Sequence, residues 1–135
     1  LTDKSVITPT KAVMILDDES DIVYIFRKSL ELAGYSAFAF TDPFAALEHL
    51  EANIERYGLV ISDIRMPKMS GVDFASQVRK INPTVSLILM SAFSMKDIAI
   101  PQEINVAECL QKPITPNQLK QMVLKYIPLI QLNEP

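Results

Sequence analysis

Five short apolar runs, each followed by a segment of different rhythm, restrict the folds open to this chain more than any other feature. The runs are AVMIL (12–16), SAFAF (36–40), LVIS (59–62), SLILMS (86–91) and ECL (108–110). Each has strand length, and most are bounded by acidic residues, proline or glycine. Residues 12–16, 59–62 and 86–91 are apolar at successive rather than alternate positions. A strand of that kind is covered on both faces, as the central strands of parallel sheets are.

The intervening segments have helical spacing. Ile22, Phe26, Leu30 and Ala33 line one face of 19–33, and Gly34 is placed as its C-terminal cap. Asp42-Pro43 supplies an N-cap and a first-turn proline to 43–52. Ser70 and Asp73 give 71–81 a start like a capping box, and Thr115-Pro116-Asn117-Gln118 does the same for 116–127. Pro101 interrupts 94–106, so a short helix or a loop is expected there. Pro128 ends the last helix and leaves PLIQLNEP as a tail. The order βαβαβαβ(α)βα implies a parallel sheet with helices on both faces and right-handed crossovers.

A length of 135 residues fits one domain, and 49% hydrophobic with 21% charged residues is enough to bury a core. A net charge of -3 argues against a nucleic-acid surface, where a basic stripe is expected. The lone cysteine, Cys109, permits neither an internal disulfide nor a zinc cluster. No stretch approaches the roughly 20 apolar residues of a membrane span. The N-terminus has no secretory h-region. The first residue is Leu rather than Met, as in a processed product or a piece of a longer protein.

In parallel α/β sheets the ligand site lies beyond the carboxyl ends of the strands. Asp17, Asp18 and Glu19 follow the first run, Asp63 closes the third, Ser91 the fourth, and Lys112-Pro113 follows the fifth. Two carboxylates about 4 Å apart repel by roughly 4 kcal/mol at an effective dielectric near 20. A divalent cation removes that penalty, and an oxygen-only donor set selects a hard ion such as Mg2+. A carboxylate can also act as a nucleophile toward phosphorus and form an aspartyl phosphate. Lys112 and the metal would then offset charge on the transferring group, with Ser91 as a hydrogen-bond donor.

Four motifs in this order, ILDDES (15–20), SDIRMPKMSG (62–71), LILMSA (87–92) and LQKP (110–113), resemble the receiver domain of two-component response regulators, of the chemotaxis-receiver type. The resemblance covers residues 11–127, with 1–10 and 128–135 as terminal tails. It implies a flavodoxin-like, doubly wound α/β fold with a five-stranded parallel sheet of order 2-1-3-4-5, here with a short or irregular fourth helix. It implies that Asp63 is the phosphoacceptor, that Asp18 binds Mg2+ directly and Asp17 through water, and that the backbone carbonyl of Arg65 completes the metal ligands. Ser91 matches the switch hydroxyl and Lys112 the lysine that pairs with the phosphoryl group. The Lys112–Pro113 bond matches the family's cis peptide. The family usually has an aromatic residue three positions before that lysine, where this chain has Cys109.

The implied function is that of a non-enzymatic, cytoplasmic signalling domain. It would accept a phosphoryl group from a histidine kinase or phosphotransfer protein and switch a partner-binding surface. A homodimer through the last helices, aided by Leu129, Ile130 and Leu132, stays open, and the output partner or effector is unspecified. A pseudo-receiver that binds partners without phosphorylation is the alternative. A Mg2+-dependent phosphatase is disfavoured because Arg65 stands where a second carboxylate is needed. A nucleotide or flavin module is disfavoured because DDES replaces a glycine-rich turn. Among the other singled-out residues, Cys109 is expected as a small core residue and His49 as a solvent-facing one. Met66 and Met69 are expected as loop packing, and capping of the first helix by Asp17 or Asp18 is the other use of that pair, compatible with metal binding.

Overall fold

Where successive strand residues are all apolar, both directions in which the side chains point must lead into a core. The computed structural model describes residues 5–9 and 11–133, and the side chains of 11–94 and 96–129. β1 (Ser5–Pro9) is separate from the main sheet, which comprises β2 (Ala12–Leu16), β3 (Ala37–Phe40), β4 (Tyr57–Asp63), β5 (Ser86–Ser91) and β6 (Glu108–Gln111). The order is β3-β2-β4-β5-β6, and every pair is parallel. Counted from β2 this is the expected 2-1-3-4-5.

Four helices cover the sheet: α1 (Ser20–Leu32), α2 (Pro43–Ala52), α3 (Gly71–Ile81) and α4 (Pro116–Tyr126). Met14, Leu16, Val60, Leu87 and Leu89 pack with Ala46 and Leu50 of α2 and with Phe74 and Val78 of α3. Their strand neighbours Val13, Ile15, Leu59, Ile61, Ile88 and Met90 pack on the other face, with Phe26 and Leu30 of α1 and Leu119 and Val123 of α4. The period of two along each strand therefore divides one apolar run between two cores. At roughly 1.5–3 kcal/mol per buried aliphatic side chain, this double coverage makes β2, β4 and β5 the main source of hydrophobic stabilisation. Among the described residues no helix is long and apolar enough to cross a membrane.

The helix ends follow their local chemistry. Gly34, at φ +99°, lets Gly34 N–H donate to Glu31 O and Tyr35 N–H to Leu30 O, a Schellman ending for α1. Asp42 accepts from Phe44 N–H with Pro43 behind it, and Ser70 accepts from Asp73 N–H. Thr115 and Gln118 form the full reciprocal capping box of α4. The interrupted segment holds only two 3-10 turns, Met95–Asp97 and Gln102–Ile104. Pro101 precedes the second, and Asn105 ends it in a left-handed conformation. Arg79 of α3 secures this stretch by donating to the carbonyls of Val85, Ile104 and Asn105.

Three readings are corrected. His49 is half-buried, with its Nε2 hydrogen-bonded to the Tyr57 hydroxyl and its ring among Phe38, Phe40 and Tyr57. It lies on the part of α2 that meets β3 and β4, and spacing within α2 alone does not reveal those partners. Cys109 is exposed, not a core residue. It lies on the edge strand β6, where Leu110 packs toward α1 and α4 and Cys109 points the other way, beside the irregular 94–106 segment. Of the two aspartates before α1, Asp17 accepts from Glu19 N–H through Oδ1, at 3.0 Å, and no side chain caps the helix at its N-cap residue Glu19. The terminal stretches, read as tails, contain strands: β1 pairs antiparallel with β7 (Leu129–Asn133), Ser5 opposite Asn133 and Pro9 opposite Leu129.

Candidate functional site

Four of the five strand ends, those of β2, β4, β5 and β6, deliver a polar side chain to the same rim of the sheet. Asp17 directly follows β2, Asp63 is the last residue of β4, and Ser91 is the last of β5. Backbone hydrogen bonds lock these ends together. Ile64 N–H donates to Met90 O at 2.9 Å, and Lys112 N–H donates to Ser91 O at 2.8 Å. Lys112 is thereby brought across from the end of β6, ahead of a cis bond to Pro113.

The lysine joins the two buried carboxylates. Its Nζ lies 2.7 Å from Asp17 Oδ2 and 3.3 Å from Asp63 Oδ2. Asp17 is 0% exposed and Asp63 6%, whereas Asp18 is open to solvent. One oxygen from each of Asp17, Asp18 and Asp63 lies within 4.8 Å of the others. Three carboxylates against one ammonium leave the pocket two charges negative. That excess and the oxygen-only donor set fit a hard divalent cation such as Mg2+. The Ser91 hydroxyl is 1% exposed and accepts from Phe93 N–H at 3.0 Å. Arg65, exposed on the loop after β4, stacks its guanidinium on the Phe93 ring at 4.1 Å.

The titration of the pocket reflects this crowding. Burial pushes the Asp63 carboxyl above its ordinary range and the Asp17 charge adds to the effect, while Lys112 works against both. Burial alone would lower the Lys112 amine, but the hydrogen bond and charge of Asp17, joined by Asp63, hold it above its ordinary value. A carboxyl whose folded pKa is raised costs stability once it ionises. The cost is absent below about pH 4, where the unfolded chain also holds the proton, and is complete above the folded value. Asp63→Asn should therefore stabilise the metal-free protein at pH 7 and raise its Tm. The gain should fade toward pH 4. Thermal melts at pH 7 and pH 4 test this; an Asp63→Asn protein no more stable than wild type at pH 7 would contradict it.

The structure thus brings together Asp17, Asp18, Asp63 and Lys112, with Ser91 on the adjoining strand end. Two contributors have no role assigned to them from the motifs. Gly71 starts α3 so close to β4 that a Cβ there would lie 2.1 Å from the Asp63 carbonyl oxygen. The sequence signal is a glycine inside a helix start that already has its cap in Ser70. Phe93 is the other, and nothing local in the sequence pairs it with Arg65.

Comparison with known proteins agrees with this geometry. The family model for the response regulator receiver domain matches residues 13–124. PgtA, the phosphoglycerate transport system transcriptional regulatory protein of Salmonella typhimurium, is 31% identical over 80% of this chain and 26% of its own length. The chain spans about a quarter to a half of the length of several such transcriptional regulators. A crystal structure of a Clostridium thermocellum receiver domain protein is similar with a TM-score of 0.78 and 27% identity, covering 86% of this chain and 93% of that one. The response regulator TrrA of Thermotoga maritima, crystallised in complex with Mg2+ and BeF, has a TM-score of 0.75 and 28% identity, covering 87% of this chain and 99% of its own. A parallel sheet of order 2-1-3-4-5, an acidic pocket bridged by a lysine at its carboxyl rim, and a family match across most of the chain lead to one conclusion: this chain belongs to the response regulator receiver domains of two-component signalling.

Proposed function

We propose that Asp63 is the phosphoacceptor of this receiver, acting with Mg2+ on a phosphohistidine presented by a histidine kinase or phosphotransfer protein. The observation that carries the reading is the approach of one lysine, Lys112, to both buried carboxylates, with Asp18 completing a set of three oxygens. An Asp63 oxygen attacks phosphorus, the donor's P–N bond breaks, and the electron pair leaves with the imidazole, which takes up a proton. The product is a mixed anhydride on Asp63. Later attack of water on phosphorus returns the free carboxylate and inorganic phosphate.

The residues have separable roles. β4 holds Asp63 still, and a fixed nucleophile spares the entropy of positioning. Lys112 would follow the charge from the carboxylate to the phosphoryl oxygens, and the Ser91 hydroxyl would donate to one of them. Asp17, Asp18, Asp63 and the Arg65 carbonyl would hold Mg2+, which supplies neutralisation of the charge spread over the transferring group. The complex of the similar protein TrrA with Mg2+ and BeF supports Mg2+ as the ion proposed here.

For the donor, a groove of about 420 Å³ lies beside the pocket, lined by Ile22, Ile25, Phe26, Ala92, Pro113 and Ile114 as well as Lys112. An apolar groove ending at the site lysine suits a helical partner that carries its phosphohistidine to Asp63. Residues 11–127 are proposed as the receiver itself, which would shift between two surfaces on modification. The test is fluorine NMR with Mg2+ and beryllofluoride. Wild type should bind beryllofluoride only when Mg2+ is present, and Asp63→Asn should not bind it. Absence of binding to wild type, or equal binding by Asp63→Asn, would leave a phosphorylation-independent interaction domain as the better reading.

A further inference from the structure

Arg65 and Phe93 follow the neighbouring strand ends that carry Asp63 and Ser91, and they touch each other. Arg65 is two residues past Asp63, and Phe93 is two residues past Ser91. The guanidinium carbon lies 4.1 Å from the centre of the ring. Both side chains are exposed, Phe93 to 52%, so core packing does not force the contact. Among the described residues Arg65 forms no ion pair. The two inward carboxylates are already engaged by Lys112, and the ring is the partner that Arg65 takes instead.

Adding a phosphoryl group to Asp63 would change that balance. A single carboxylate charge becomes close to two charges carried on three terminal oxygens. A guanidinium meets such a group with two parallel N–H donors, a stronger contact than an exposed cation–π stack. Two residues of chain separate Arg65 from Asp63, roughly 7 Å at full extension, so the long side chain can turn inward without moving the loop. The Phe93 ring is also tied to the site from behind, because Phe93 N–H donates to Ser91 Oγ. A Ser91 hydroxyl that reorients toward phosphorus pulls on the same residue.

We propose that Arg65 exchanges the Phe93 ring for the phosphoryl group when Asp63 is modified, and that the released Phe93 is the aromatic group whose position reports the modified state. The proposal rests on the phosphoacceptor reading of Asp63. It supplies the aromatic element that position 109, an exposed cysteine on β6, does not.

The experiment uses the full chain with carbon-13 in its phenylalanine rings, titrated with beryllofluoride in the presence of Mg2+. Fluorine NMR reports binding in the same sample. The Phe93 ring signals, identified by their loss in Phe93→Leu, should move toward those of a freely rotating exposed ring as beryllofluoride binds. In Arg65→Ala they should begin there and stay. Phe93→Leu removes the competitor for Arg65 and should tighten beryllofluoride binding about two- to fivefold. Arg65→Ala should weaken binding by roughly fivefold or more. Both side chains are exposed, so neither variant removes core packing. Bound beryllofluoride with unmoved Phe93 signals, or a Phe93→Leu protein that binds no tighter than wild type, would overturn the exchange while leaving Asp63 as phosphoacceptor. Failure of wild type to bind beryllofluoride would overturn both.

Discussion

Lys112→Met should lower the stability of the metal-free protein by about 3–5 kcal/mol at neutral pH, because it strands buried charge rather than merely losing a contact. Asp17 is fully buried, and its Oδ2 has Lys112 Nζ as a partner at 2.7 Å. Asp63 is nearly as buried and has the same amine at 3.3 Å. Without the ammonium, two carboxylates face each other in a pocket that already carries excess negative charge. The pH dependence has a definite sign. The folded pKa of Lys112 is raised, so its stabilisation is fully present below about pH 10.4, the ordinary lysine value, and is lost as pH rises through the higher folded value. The deficit of Lys112→Met relative to wild type should therefore persist across the neutral range and narrow only in strong alkali or in acid that protonates the carboxylates. Mg2+ should restore part of it, since a ligand held at 100 times its Kd adds about 2.7 kcal/mol. Denaturant titrations at several pH values, with and without Mg2+, measure all of this. A deficit below 1 kcal/mol at pH 7 would mean that the ion pairs do not hold the pocket together.

Gly71→Ala should impair the site more than the size of a methyl group suggests. The new Cβ would lie 2.1 Å from the Asp63 carbonyl oxygen and 2.7 Å from Ile64 Cα, both backbone atoms. Neither can swing aside as a side chain could, so α3 or the end of β4 must shift by more than an ångström. Overpacking of this kind costs about 1–3 kcal/mol. A displacement of that size at a reacting group costs on the order of a hundredfold in rate. With Asp63 as the proposed phosphoacceptor, its phosphorylation by a small acyl phosphate should therefore slow by about 100-fold in Gly71→Ala. Gly58→Ala is the control, since its Cβ would meet the Lys11 and Ile127 side chains far from the pocket. It should lose stability and keep its rate. A Gly71→Ala protein that phosphorylates at the wild-type rate would show that the close approach does not position Asp63.

The pocket was largely legible in the sequence because of how parallel sheets are built. Functional groups follow strand ends, and the strand ends here are marked by abrupt changes from apolar runs to Asp17, Asp63, Ser91 and Lys112. The helix caps were legible for the same local reason: Asp42, Ser70 and Thr115 each bond to an amide two or three residues away. Features that depend on distant partners were not. His49 lies in α2, but Tyr57 of β4 and the rings of β3 decide its environment. Cys109 looked apolar enough for a core, yet its exposure follows from being on an edge strand beside a segment without a covering helix. The choice between Asp17 and Asp18 as acceptor near α1 was local but open, and the structure gives the Glu19 amide to Asp17. The Arg65–Phe93 stack joins two loops whose proximity depends on the register of β4 with β5.

The pairing of β1 with β7 makes the described chain nearly a closed circuit. Ser5 and Asn133 face each other across that ribbon, so their Cα atoms lie about 5 Å apart. A linker of a few residues could fuse these points, and new ends could be opened at the exposed turn around Pro101. Such a circular permutant would keep β2, β4 and β5 unbroken, and with them every strand end that borders the pocket. The order in which the segments leave the ribosome would change while the assembled architecture stayed the same.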